Sequence, residues 1–175
     1  PIGGAIFGFF YAPIVITGMH HSFTAVETQL LADIATTGGS FIFPVAAMSN
    51  VAQGAAALSV LLILKKDNKM KGIASASGIS ALLGITEPAI FGVNLKLRYP
   101  FYGAMIGSAV SSAYIMLTKV LALAPGAAGL PGIISIRPDS MINYIIGMAI
   151  SMAVAVASTI ILAKTTAKKE NLEVA

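Results

Sequence analysis

Two clusters of basic residues enclose one apolar stretch, and together they restrict the fold more than any other feature of the chain. Lys65, Lys66, Lys69 and Lys71 precede residues 72–94, and Lys96 and Arg98 follow them. Short lysine-rich loops between apolar segments collect on the cytoplasmic face of a membrane. If both clusters lie there, residues 72–94 must enter and leave by the same face. About 22 residues suffice for one full span or for two half-membrane arms, at ~1.5 Å per residue. Gly84, Pro88 and Gly92 stand where a hairpin would turn. The reading favoured is a re-entrant hairpin, which a bilayer tolerates only where its broken backbone is buried in protein or lines a cavity.

The rest of the chain follows the same logic. Residues 1–19 form an apolar run of spanning length, punctuated by Pro13 and several glycines. Residues 24–39 are more polar. Glu27, Leu30, Leu31 and Ile34 suit a short amphipathic helix that Gly38 and Gly39 would end. Further spans are expected over residues 41–64, 101–123 and 141–163, the last with Asp139 and Ser140 as cap. Residues 124–132 read as a turn-rich connector of small residues, and residues 133–137 as either a second shallow re-entrant element or an outer loop. Lys164, Lys168 and Lys169 place the C-terminus in the cytoplasm, and residues 165–175 read as a polar tail.

The expected architecture is therefore an all-α membrane protein, a polytopic bundle of about four transmembrane helices with one or two re-entrant hairpins. The positive-inside rule is satisfied if the chain starts inside, runs out through residues 1–19 and returns through 41–64. It then dips through 72–94 and crosses twice more. Pro1 falls inside an apolar run with no basic segment ahead of it, so a signal peptide is not expected. A piece of a longer polypeptide is. Residues 1–164 read as one membrane unit.

Composition agrees. The chain is 57% hydrophobic and only 10% charged, against about 25% charged in soluble domains. Its net charge of +4 sits at the ends of apolar runs, where lipid headgroups account for it and nucleic acid does not. With no cysteine, there are no disulfides, thiolate metal sites or thiol nucleophile. Two histidines make a poor metal site, and nothing suggests a cofactor.

The candidate chemistry centres on Glu87, a carboxylate in an apolar run followed directly by Pro88. An intramembrane acid is costly and usually faces a polar pathway. It can accept hydrogen bonds from a hydroxylated solute and draw a proton from it. Pairing with Lys or Arg to hold the hairpin shut is the structural alternative. A proline disfavours helix at the residue before it, here Glu87. His20 and His21 are adjacent, so at most one is expected to face a given site; a neutral imidazole there could bond a solute or shuttle a proton. Thr86 and Asn94 suit solute hydroxyls or freed backbone groups. Asn50 and Gln53 read as helix–helix glue. Lys96 and Arg98 read as interfacial anchors.

Two blocks carry a resemblance: Thr17-Gly-Met-His-His-Ser-Phe23, and the run from Gly84-Ile-Thr-Glu-Pro88 through Asn94-Leu-Lys-Leu-Arg98 to Phe101. In order and spacing they resemble the membrane (IIC) component of the bacterial sugar phosphotransferase system, in the glucose–sucrose superfamily and most closely its sucrose-type branch. The resemblance implies the C-terminal, substrate-binding part of a larger IIC domain in the inner membrane. It implies that a sugar, sucrose or a related glucoside, is carried inward and phosphorylated at its 6-hydroxyl by phosphocysteine on a cytoplasmic IIB domain, itself supplied by IIA. It implies a homodimer formed through spans outside this chain. It makes Glu87 the sugar-binding acid and His20 and His21 its double-histidine block. The alternative from another class is a proton-coupled secondary transporter, with Glu87 as the coupling acid and no phosphoryl transfer.

Overall fold

The computed structural model describes residues 1–64 and 67–173, with side chains through Thr166. Lys65 and Lys66, the side chains of Lys168 and Lys169, and those of the polar tail lie outside the described residues.

Among the described residues, nine α-helical segments follow the apolar pattern. They are α1 (Ile2–Ile16), α2 (Phe23–Ala32), α3 (Ile34–Thr37), α4 (Ile42–Ile63), α5 (Asn68–Leu82), α6 (Glu87–Ala89), α7 (Leu95–Leu97), α8 (Tyr99–Leu117) and α9 (Met141–Glu173). A π-helical turn, Ile90–Asn94, joins α6 to α7. The helices α4, α8 and α9 are long and apolar enough to cross a membrane, and α1 with the segment after it makes a fourth, bent pair. The chain is a multi-pass helical membrane protein. Backbone over residues 165–173 continues α9 as helix.

The centre of the bundle is α4. It carries no charge over its 22 residues and is buried over most of its length. Pro44 lies in its first turn, where a missing N–H removes no helical bond. Against it pack α5, α8 and α9, while α1 packs chiefly on α8 and also reaches α4. Small residues let these helices approach. A Cβ at Gly107 of α8 would stand 2.9 Å from the Ala155 backbone nitrogen of α9. Hydroxyls bridge them: Ser108 Oγ donates to the Gly8 carbonyl at 2.7 Å, and Ser151 Oγ to that of Met48 at 2.7 Å.

Asp67 caps α5 by accepting from Met70 N–H at 2.9 Å. Met70 at the start of the hairpin, Leu97 at its end and Leu64 at the end of α4 share one apolar cluster. Ile73 on the entering arm touches Gly92 on the returning one. The two arms therefore run antiparallel and return to one end of the bundle, the end that carries Lys69, Lys71, Lys96 and Arg98.

The first segment departs from expectation. Gly4 of α1 lies against Met116, Gly8 against Ser108, and Ala12 packs with Phe101 and Met105. Thus α1 starts beside the Leu117 end of α8 and runs toward the basic end, not away from it. It stops at Ile16, the chain turns by 117° through Gly18 in left-handed backbone and a 3-10 turn over Met19–Ser22, and α2 leads back. Ser40 then pairs with Ala122 beyond α8, by two backbone hydrogen bonds of 2.9 and 2.8 Å. Ser40 Oγ also donates to Glu27 at 2.9 Å, pinning α2 to the start of α4. Residues 1–40 leave from and return to the same end. The physical reason is length: fifteen residues of α1 reach only ~22 Å, short of a ~30 Å hydrocarbon core.

Candidate functional site

Two interruptions in the bundle meet tip to tip. From the basic end, α5 rises ~22 Å before it stops at Leu82. Gly84 then turns the chain at φ +106°, a conformation that L side chains rarely adopt. Ile85 N–H closes the turn on the Ser80 carbonyl at 3.0 Å. From the opposite end, the connector after α8, residues 124–132, dips inward. Asn50 of α4 donates to the Ala128 carbonyl at 2.7 Å, and the buried Tyr144 hydroxyl of α9 donates to that of Gly129 at 2.8 Å. A Cβ at Gly84 would lie 3.3 Å from the Ala128 nitrogen, so the two tips touch backbone to backbone.

A cavity of about 420 Å³ opens where they meet, within the range of small-molecule sites. Its floor is hairpin tip, including Thr86 and Glu87. The connector at Gly126, Ala127 and Ala128 forms one wall. Opposite stand Tyr11, Val15 and His20, brought there because α1 stops short and bends. Tyr11 is buried and held edge-on by Phe7 at 5.7 Å, with Phe23 stacked at 6.4 Å.

Glu87 opens α6 with Pro88 in the first turn, where proline needs no N–H partner. The acid is thus helical at its own position, which the proline alone did not suggest. Its carboxylate is exposed and has no cationic partner within 4 Å among the described residues; the ion pair present there is Arg137–Asp139. The alternative of a clasp to Lys or Arg finds no support. His20 Nδ1 is buried without a hydrogen-bond partner. Glu87 and Tyr11 therefore bring unused hydrogen-bonding capacity to one partly open space that His20 also lines, which suits a neutral solute rich in hydroxyls.

The other candidates separate. Thr86 is buried and lines the cavity with Glu87. His21 is exposed and outside the lining; its ring sits 4.0 Å from that of His20. Asn94 is fully buried away from the cavity and donates to Gln53 Oε1 at 2.6 Å and to the Gln53 carbonyl at 3.0 Å. That bond ties the returning arm to α4, so Gln53 acts as glue, as expected, while Asn50 holds a loop instead of a helix. Tyr11 was not among the expected site residues. The available signal was a hydroxyl-bearing ring nine residues before His20 in an otherwise apolar run.

Broken segments meeting at a cavity beside unbroken spans define an all-α polytopic membrane protein. Residues 1–109 match the family described as Phosphotransferase system, EIIC, and the chain belongs to that family. It is 67% identical over 161 residues, 92% of its length, to the PTS system sucrose-specific EIIBC component of Vibrio alginolyticus, covering 33% of that protein. It is 66% identical over 163 residues to the sucrose-specific EIIBC component of Pasteurella multocida, covering 93% of this chain and 34% of that protein. The trehalose-specific EIIBC component of Bacillus subtilis is 51% identical over 158 residues, 90% of this chain and 33% of the relative. The chain spans about a third of the length of these curated relatives. No solved structure matches it.

Proposed function

We propose that this chain is the sugar-binding part of a phosphoenolpyruvate-dependent sugar permease of a bacterial inner membrane, with its basic end and C-terminus in the cytoplasm. The carrying observation is the convergence of Glu87 and His20 on one cavity built from interrupted backbone. A sugar is neutral, and burying it is tolerable only when its hydroxyls find partners. Glu87 accepts from hydroxyls, His20 and Tyr11 complete the set, and Thr86 borders it. The sugar we propose is sucrose, on the strength of the relatives named for it.

In this reading the sugar's 6-hydroxyl attacks the phosphorus of a phosphocysteine on a IIB domain that reaches the basic end and is charged by IIA. The S–P bond breaks as the O–P bond forms, and the hydroxyl proton passes to Glu87. Positioning of the acceptor oxygen is the main demand of phosphoryl transfer. His21 acts through His20, whose ring it braces. The parent protein pairs as a homodimer through spans outside this chain.

The experiment is sugar phosphorylation by the full-length protein with its IIA and IIB partners, comparing sucrose with trehalose and Glu87→Gln with wild type. Removing a positioned base is expected to lower kcat roughly hundredfold or more. Sucrose phosphorylation near the wild-type rate in Glu87→Gln would sink the assignment. Uptake indifferent to phosphoenolpyruvate but abolished by a protonophore would replace it with proton-coupled transport.

A further inference from the structure

A second cavity, of about 520 Å³, lies at the basic end between the foot of the hairpin and α9. Lys96 and Arg98 stand at its rim, Tyr99 and Tyr102 line it from the first turn of α8, and Leu162 and Thr166 close it from α9. The sugar site does not use it. Lys96 and Arg98 are exposed, and among the described residues neither has a carboxylate within 4 Å. The Tyr99 hydroxyl is buried without a hydrogen-bond partner. Two cations thus border a space whose remaining lining is largely apolar.

The backbone adds an independent observation. Arg98 sits at φ 64°, ψ −55°, the centre of the rare γ-turn form that is strained for a residue with a side chain. Glycine would take this corner more easily, yet the position holds arginine. Strain of this sort persists only where its surroundings fix it, and it clusters at ligand clamps.

We propose that this cavity binds the phosphate group of an anionic phospholipid. The phosphate oxygens take Lys96 and Arg98, and the glycerol and upper acyl chain lie along Leu97, Leu162 and the ring of Tyr102. Basic pockets between membrane helices on the cytoplasmic side are suited to such headgroups, and tyrosines favour the same interfacial depth. A free phosphate shares the oxygen chemistry but has no use for the leucine and tyrosine walls. The site lies at the end of the arm that carries Glu87, so an occupied pocket anchors that arm to the leaflet.

The test is lipid retention by the full-length parent protein, measured by native mass spectrometry after exchange into phosphatidylcholine with or without phosphatidylglycerol. Wild type is expected to retain phosphatidylglycerol and not phosphatidylcholine. Lys96→Gln with Arg98→Gly is expected to retain it about thirtyfold less, two near-surface cations having been removed. Glycine at 98 preserves the corner, so this variant keeps its fold. Lys164→Gln removes a charge at the same end without lining the cavity and should retain lipid as wild type does. Equal retention of both lipids, or the same loss in Lys164→Gln, overturns the site in favour of general surface attraction. Displacement of the lipid by millimolar inorganic phosphate would overturn the lipid assignment and make the occupant a free phosphate. Binding of phosphorylated IIB that competes with the lipid would transfer the pocket to that partner.

Discussion

Asn94 reaches from the π-helical turn of the returning arm to Gln53 on the central helix, bonding both its side-chain oxygen at 2.6 Å and its carbonyl at 3.0 Å. Both residues are almost wholly buried. A buried amide that loses its partner costs about 1–3 kcal/mol. Asn94→Ala is expected to lower the stability of the detergent-solubilised parent protein by that order, in thermal or denaturant unfolding. Sugar affinity of the folded fraction should stay within about twofold, since the residue is not at the cavity. A large loss of affinity without a loss of stability would return Asn94 to the sugar site.

The two histidines should behave unequally. His20 borders the cavity and His21 does not. Loss of one hydrogen bond to a solute is worth about 1.5 kcal/mol, so His20→Ala should weaken sugar binding about tenfold by isothermal titration. His21→Ala should weaken it by less than about threefold. The reverse order would show that the bend after α1 is turned the other way.

Gly84→Ala places a Cβ 3.3 Å from the Ala128 backbone at a φ of +106°. Strain of about 1–3 kcal/mol is expected, with no route to relief because the opposing atoms are backbone. Hydrogen exchange should rise in residues 82–87 and 126–130 together. A rise confined to the hairpin would mean that the tips do not bear on one another.

Sidedness separates the two routes for the first segment. Gly3 is exposed with open space around it, at the Leu117 end of the bundle; Asn68 is exposed at the other end. Single cysteines at these positions in the parent protein, probed with a membrane-impermeant maleimide, should label from opposite sides. Labelling from one side would restore the route in which residues 1–19 run outward.

The contrast shows where sequence carries topology and where it does not. Residues 72–94 were legible as a hairpin because lysines and Arg98 bracket them, and charge reports sidedness directly. Residues 1–40 have no such bracket: before Ser40 there is no Lys or Arg, only Glu27, Asp33 and two histidines among the groups that can carry charge near neutral pH. Apolar length alone suggested a span, and the turn at Gly18 was invisible as a reversal. At the site, Glu87 and Thr86 stood out because polar groups in apolar runs are expensive. Asn94 stood out by the same rule and serves a different end, since polarity in a membrane marks a need for partners without saying whether solute or protein supplies them. Tyr11 was hidden among aromatics.

The tip-to-tip meeting of hairpin and connector has a mechanical consequence. The frame of α4, α8 and α9 is continuous past the cavity, while the connector's inner end is held by the Asn50–Ala128 and Tyr144–Gly129 bonds. Each such bond is worth about 0.5–1.5 kcal/mol net. Withdrawing that loop would unlatch one side of the chamber without unwinding any spanning helix, at an energy within reach of microsecond-to-millisecond fluctuation. On this side the cavity wall is a loop, at Gly126, Ala127 and Ala128, and not a spanning helix.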